Sequence, residues 1–154
     1  MQSRRQALKK TAVVAGLLTS TGLFPHLALA SVAASKAGFE AKNIPDAIKA
    51  LGAGVLVASK DVSLTAPDIA ENGAVVPLAA STTLPGIKRL LILVEKNPFP
   101  LVAVFNVSDS VDPAISTRAR MGQSSDVYAV AIMGDGKALF AKKEVKVTLG
   151  GCGG

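Results

Sequence analysis

Cys152 is the single cysteine among 154 residues, and it stands in Gly150-Gly151-Cys152-Gly153-Gly154 with two glycines on each side. Glycine lacks a Cβ and ranges over backbone conformations closed to other residues, so this stretch reads as a flexible, slim arm. Five extended residues reach at most roughly 16–18 Å, enough to carry a sulfur clear of a domain surface. A free thiol usually behaves as a small buried hydrophobe, but nothing within this segment can bury it. An odd, exposed cysteine in an exported protein points to intermolecular pairing or to a working thiol.

The rest of the composition limits what that thiol can do. Nucleophilic catalysis by cysteine needs a base, usually histidine, within reach. The only histidine, His26, falls in a segment expected to be removed, so no protease-like or acyltransferase dyad is available. One cysteine and no histidine cannot supply a zinc or iron–sulfur site, and no metal is expected. No Gly-rich phosphate loop precedes a helix. The chain is therefore read as a non-enzyme without a cofactor of its own, in which Cys152 forms a reversible covalent bond. A thiol of ordinary pKa near 8.5 is only a few per cent thiolate at neutral pH, so activation would fall to the enzyme that receives the arm. Thiolates attack sulfane sulfur and disulfides readily, which makes sulfur the expected cargo.

Residues 1–30 have the form of an export signal. Arg4, Arg5, Lys9 and Lys10 precede an apolar run from Thr11 to Leu23, and Ala28-Leu29-Ala30 offers a cleavage site between Ala30 and Ser31. The Arg4-Arg5 pair resembles a twin-arginine signal, although Ala7 stands where that signal prefers phenylalanine. An ordinary secretory signal is the alternative. The whole chain carries 17 Lys and Arg against 11 Asp and Glu; without the leader the count is 13 against 11, a net of +2. The basic pI of 9.7 thus belongs largely to the leader and lends no support to nucleic-acid binding. No mature stretch is long and apolar enough to span a membrane.

Beyond the leader, the pattern predicts an all-β, immunoglobulin-like β-sandwich over residues 31–149, with a short N-terminal helix and the arm at 150–154. Ser31 to Lys42 reads as loosely ordered. Asn43 caps a helix, Pro45 suits its first turn, Ala47, Ile48 and Leu51 share a face, and Gly52 ends it. Seven or eight short strands follow between turn signals, with strands read separately at 138–143 and 144–149. Pro77 marks its strand as an edge or a bulge. Leu90 to Val94 and Val127 to Met133 are apolar on both faces, so either the N-terminal segment or another chain must cover the outer one. Lys142, Lys143 and Lys146 near the arm, and Arg118 and Arg120, are read as solvated strand faces in preference to anion or partner sites.

Val145 to Gly154 resembles the terminal signature of the SoxY family of thiosulfate-oxidation carriers. The likeness extends through Pro67-Asp68-Ile69-Ala70-Glu71-Asn72-Gly73, Glu95-Lys96-Asn97-Pro98 and Thr117-Arg118-Ala119-Arg120-Met121. It implies a periplasmic protein that holds thiosulfate-derived intermediates on Cys152, with Gly150, Gly151, Gly153 and Gly154 as the hinge. It also implies a heterodimer with a SoxZ-like β-sandwich. The implied partner enzymes are a haem enzyme that couples thiosulfate to the thiol, a dimanganese hydrolase that releases sulfate, and in some pathways a molybdenum sulfane dehydrogenase. The competing readings are an exported structural or adhesive module using Cys152 for an intermolecular disulfide, an autonomous thiol enzyme, and a ubiquitin-like carrier ending in Gly-Gly. The strand pattern and Cys152 speak against the last.

The export reading makes a direct prediction. Arg4→Lys with Arg5→Lys should leave the uncleaved chain in the cytoplasm, whereas the exported protein should begin at Ser31 by intact mass. Normal export of the double-lysine variant would assign the leader to the ordinary secretory route.

Overall fold

The computed structural model describes residues 26–108 and 110–148, with side chains from residue 33 onward. Two compact units divide the chain, Met1–Ala33 and Ala34–Gly154, and the strands all belong to the second. Helix α1 covers His26–Glu40 and α2 covers Ile44–Ala50. Nine strands follow among the described residues: β1 Leu56–Ala58, β2 Val62–Thr65, β3 Ile69–Ala70, β4 Val76–Thr82, β5 Ile87–Val94, β6 Leu101–Asn106, β7 Ala114–Ala119, β8 Ser125–Met133 and β9 Ala138–Val147.

The strands form an immunoglobulin-like sandwich. The larger sheet runs β1-β9-β8-β5-β6, with β3 also paired to β9, and the smaller runs β2-β4-β7. The chain crosses between sheets early: β1 lies parallel to the start of β9, β2 joins the small sheet, and β3 returns parallel to the end of β9. β8 and β9 form a hairpin around Gly134-Asp135-Gly136, where Gly136 takes the positive φ of 84° that the turn requires.

Three expectations change. Residues expected to be loosely ordered from Ser31 belong to α1, whose Ala- and Lys-rich sequence favours a helix. The strands read separately at 138–143 and 144–149 are one strand through Val147, because no turn residue interrupts Ala141 to Lys146. Pro77 lies in the middle strand of the small sheet and not on an edge. The β2–β4 ladder ends at Thr65–Ala79, so Pro77 faces a neighbouring strand only on the β7 side, opposite Arg118. Its missing N–H therefore leaves no gap in the β2 ladder.

Period-two alternation sorts the large sheet into two apolar layers. Leu90, Ile92, Val94, Val127, Ala129, Ala131 and Val145 point inward against Val62, Val76, Leu78 and Met121 of the facing layer. Leu91, Leu93, Leu101, Val130, Ile132 and Ala138 point outward, and there Ile44, Ala47, Ile48 and Leu51 cover them. The open alternative is thus decided in favour of the N-terminal segment: α2 closes the outer face. Asn43 holds the helix start, its Oδ1 accepting from the Asp46 N–H at 2.9 Å. Gly52, at φ 77°, ends it. Burial of one such Ile or Leu contributes on the order of 1.5–3 kcal/mol, so a seven-residue helix of low intrinsic stability is held mainly by this face.

Ile48, 2% exposed, is the centre of that contact. Ile48→Ala should lower stability by about 2–5 kcal/mol in urea unfolding, the usual cost of truncating a buried Ile. A loss below about 1 kcal/mol would mean that α2 does not cover the sheet in solution.

Candidate functional site

Arg4, Arg5, Leu149 and the arm Gly150, Gly151, Cys152, Gly153 and Gly154 lie outside the described residues. Ala30 and Ser31 fall within α1, backbone only. What the fold does define is the platform from which residues 149–154 depart, the end of β9.

That end is bonded on both sides. From β3 and its flanks, the Asp68 carbonyl accepts from the Lys146 N–H at 3.0 Å and the Ala70 carbonyl from the Thr148 N–H at 3.1 Å. The Thr148 hydroxyl stands 3.4 Å from the carbonyls of Ala70 and Glu71. From the opposite side, the Ser124 hydroxyl accepts the Val147 N–H at 2.9 Å. Beneath it, Gly73 is buried, and a Cβ there would collide with the Met121 carbonyl oxygen and come within 2.8 Å of Val147 Cγ1. The Gly73 carbonyl accepts the Met121 N–H at 2.7 Å. Glycine is required here for close approach, not for an unusual φ.

Neighbouring loops brace the same end. The Ser125 hydroxyl accepts the Lys96 N–H at 3.0 Å, and Asn97 Nδ2 donates to the Arg120 carbonyl at 2.9 Å. The three internal stretches that carry the family likeness, 67–73, 95–98 and 117–121, therefore meet at the end of the sandwich where β9 finishes. Sequence reading found these stretches but had no means to see that they converge.

The basic residues divide. Lys143 pairs with Asp68 at 2.9 Å and donates to the Ala66 carbonyl at 2.6 Å, tying β9 to the turn before β3. Lys142 pairs with Asp126 at 2.8 Å across the β8–β9 ladder. Its ammonium pKa is held above the ordinary value by that hydrogen bond, then by the Tyr128 and Asp126 charges. Lys146, Arg118 and Arg120 are exposed, in keeping with solvated strand faces. Tyr128 packs against Phe140, centroids 5.6 Å apart, with its hydroxyl 3.4 Å from Glu95 Oε2. Among the described residues no group of three His, Cys, Asp or Glu could hold a metal, and no helix is long and apolar enough to cross a membrane.

A two-sheet sandwich whose last described strand is followed in sequence by a glycine-flanked cysteine is a small β domain with a single thiol close behind that strand. The family model for "Sulfur oxidation protein SoxY" matches residues 48–152, and the chain belongs to the SoxY family. It is similar to the sulfur carrier protein SoxY from Chlorobium limicola f thiosulfatophilum, with 38% identity, a TM-score of 0.56, and coverage of 61% of this chain and 84% of that one. The sandwich also resembles a putative superoxide reductase from Thermotoga maritima (10% identity, TM-score 0.51, 60% and 94% covered). A neelaredoxin from Ignicoccus hospitalis is comparable (17% identity, TM-score 0.50, 56% and 79% covered). At such identities these two share the fold alone. The curated proteins contain no match.

Tyr128 is the only tyrosine and there is no tryptophan, so phenolate absorbance reports this one ring. Its pKa is raised, first by burial and then by the Glu95 charge, against an opposing effect of Lys142. The titration midpoint of the folded protein should lie above the ordinary value of about 10 and return to it in urea. A raised folded value means this group's stabilisation is complete below pH about 10 and is lost as pH climbs through the folded midpoint. Lys142→Met should push the midpoint higher still; a lower midpoint would contradict the assigned charges.

Proposed function

We propose that this chain is a periplasmic sulfur carrier, exported by the twin-arginine route, that binds thiosulfate-derived intermediates covalently on Cys152. The observation that carries the reading is the SoxY family match through residue 152, joined to a cysteine flanked by four glycines. The bonded end of β9 supports it, since a carrier needs a fixed base and a reactive atom beyond it. The four residues from Leu149 to Cys152 span at most roughly 14 Å, enough to enter a cleft in another protein.

In the first step the Cys152 thiol and thiosulfate form a sulfur–sulfur bond, giving Cys–S–S–SO3⁻, with one proton released and two electrons passed to the haem of the coupling enzyme. Water then cleaves the terminal S–S bond: sulfate departs and a persulfide, Cys–S–SH, remains. This second step transfers no electrons to an acceptor and suits a dimanganese hydrolase. Oxidation of the remaining sulfur by a sulfane dehydrogenase would follow in pathways that have one. The chain supplies the tether and the nucleophile, its partners supply the metals, and a SoxZ-like sandwich is its expected companion.

Intact-mass analysis tests the reading. Incubation with thiosulfate and the coupling enzyme should add one S2O3 unit to the peptide containing Cys152, and the hydrolase should then remove SO3. Cys152→Ser should fold with unchanged stability and should accept no adduct. Adducts elsewhere, or full turnover by the serine variant, would overturn the proposal.

A further inference from the structure

Resting on the carrier reading, we propose that Ser124 and Ala70 are positioning elements that fix where the carrier segment begins, so that Cys152 stands four residues beyond the last bonded one, Thr148.

Val147 and Thr148 are the last two residues before that segment, and each backbone N–H has its own partner from a different part of the fold. Val147 bonds to the Ser124 hydroxyl on the loop before β8, and Thr148 bonds to Ala70 at the end of β3. β3 has only two residues and, among the described residues, pairs with β9 alone. Two residues contribute little to the stability of a sheet, so its evident effect is to hold the final turn of β9. Gly73 lets the Met121 carbonyl and the Val147 side chain both close on its own Cα, where a Cβ would collide with the first and come within 2.8 Å of the second. Lys143, bonded to Asp68 and to the Ala66 carbonyl, fixes the approach to β3 from the other end. The arrangement bonds β9 to its last described residue, where strand ends ordinarily fray.

Tether length sets how often Cys152 meets the active site of an enzyme docked on the sandwich. Effective concentration falls roughly as the −3/2 power of tether length. With the Ser124 and Thr148 bonds gone, fraying back to Lys146, which the Asp68 carbonyl still holds, lengthens the tether to Cys152 from four to six residues. That lowers effective concentration about twofold.

The test pairs a small probe with a large one. Ser124→Ala with Thr148→Pro removes both partners of the β9 end. Thr148→Val keeps the N–H and loses only the hydroxyl. Cys152 should react with a small aromatic disulfide at the wild-type rate in every variant. The kcat/KM for thiosulfate loading by the coupling enzyme should fall about twofold or more in the double variant and stay near wild type in Thr148→Val. Equal loading in all three, or a parallel change with the small disulfide, would overturn the inference. Should the double variant fail to fold, four glycines inserted after Thr148 leave the bonds intact and double the tether. Loading should then fall about threefold, and unchanged loading would again overturn it. Failure of the carrier reading is distinguishable, because wild type itself would then take up no adduct.

Discussion

The constraint on which the structure depends is the bonding of the end of β9. A sulfur carrier has to present its cargo from a defined origin. Here the origin is held by a two-residue strand on one side, a serine hydroxyl on the other and a glycine beneath. None of these contributes much to the core. Each touches the last residues before the glycine-flanked cysteine, which gives the early crossing of the chain from β1 through β2 to β3 a purpose beyond sheet-building.

The remainder of the domain keeps that platform still. The large sheet is apolar on both faces, the small sheet covers one and α2 the other. With α2 in place, the outer apolar residues of β5 and β8 no longer call for a partner chain. The sandwich is thereby a body with a closed core. A nearby ion pair, Lys143 with Asp68, joins the β9 edge to the turn before β3. Both groups are partly or largely solvated, so its role is better understood as fixing geometry than as adding stability.

Much of this was legible in the sequence. Asn43, Pro45 and Gly52 bracketed α2, apolar runs between turn residues marked β5 through β9, and double-sided apolar strands announced a covered outer face. Cys152 stood out because its composition context left a thiol with no base and no fellow ligand. Other features were not legible, for physical reasons. β1 and β3 are too short to alternate, and their pairing is with the distant β9. Pro77 pointed to an edge or a bulge because a local rule cannot see that β2 stops at Thr65. The need for Gly73 comes from Met121 and Val147, 48 and 74 positions away. Ser124 looks like any loop serine until the strand beside it is known.

Hydrogen exchange across residues 145–154 tests the central claim most directly, because it reads each backbone bond at the end of β9 separately. The account predicts protection at Lys146, Val147 and Thr148 followed by an abrupt change to free exchange from Gly150 onward. Protection that ends before Val147, or that continues through Cys152, would contradict it.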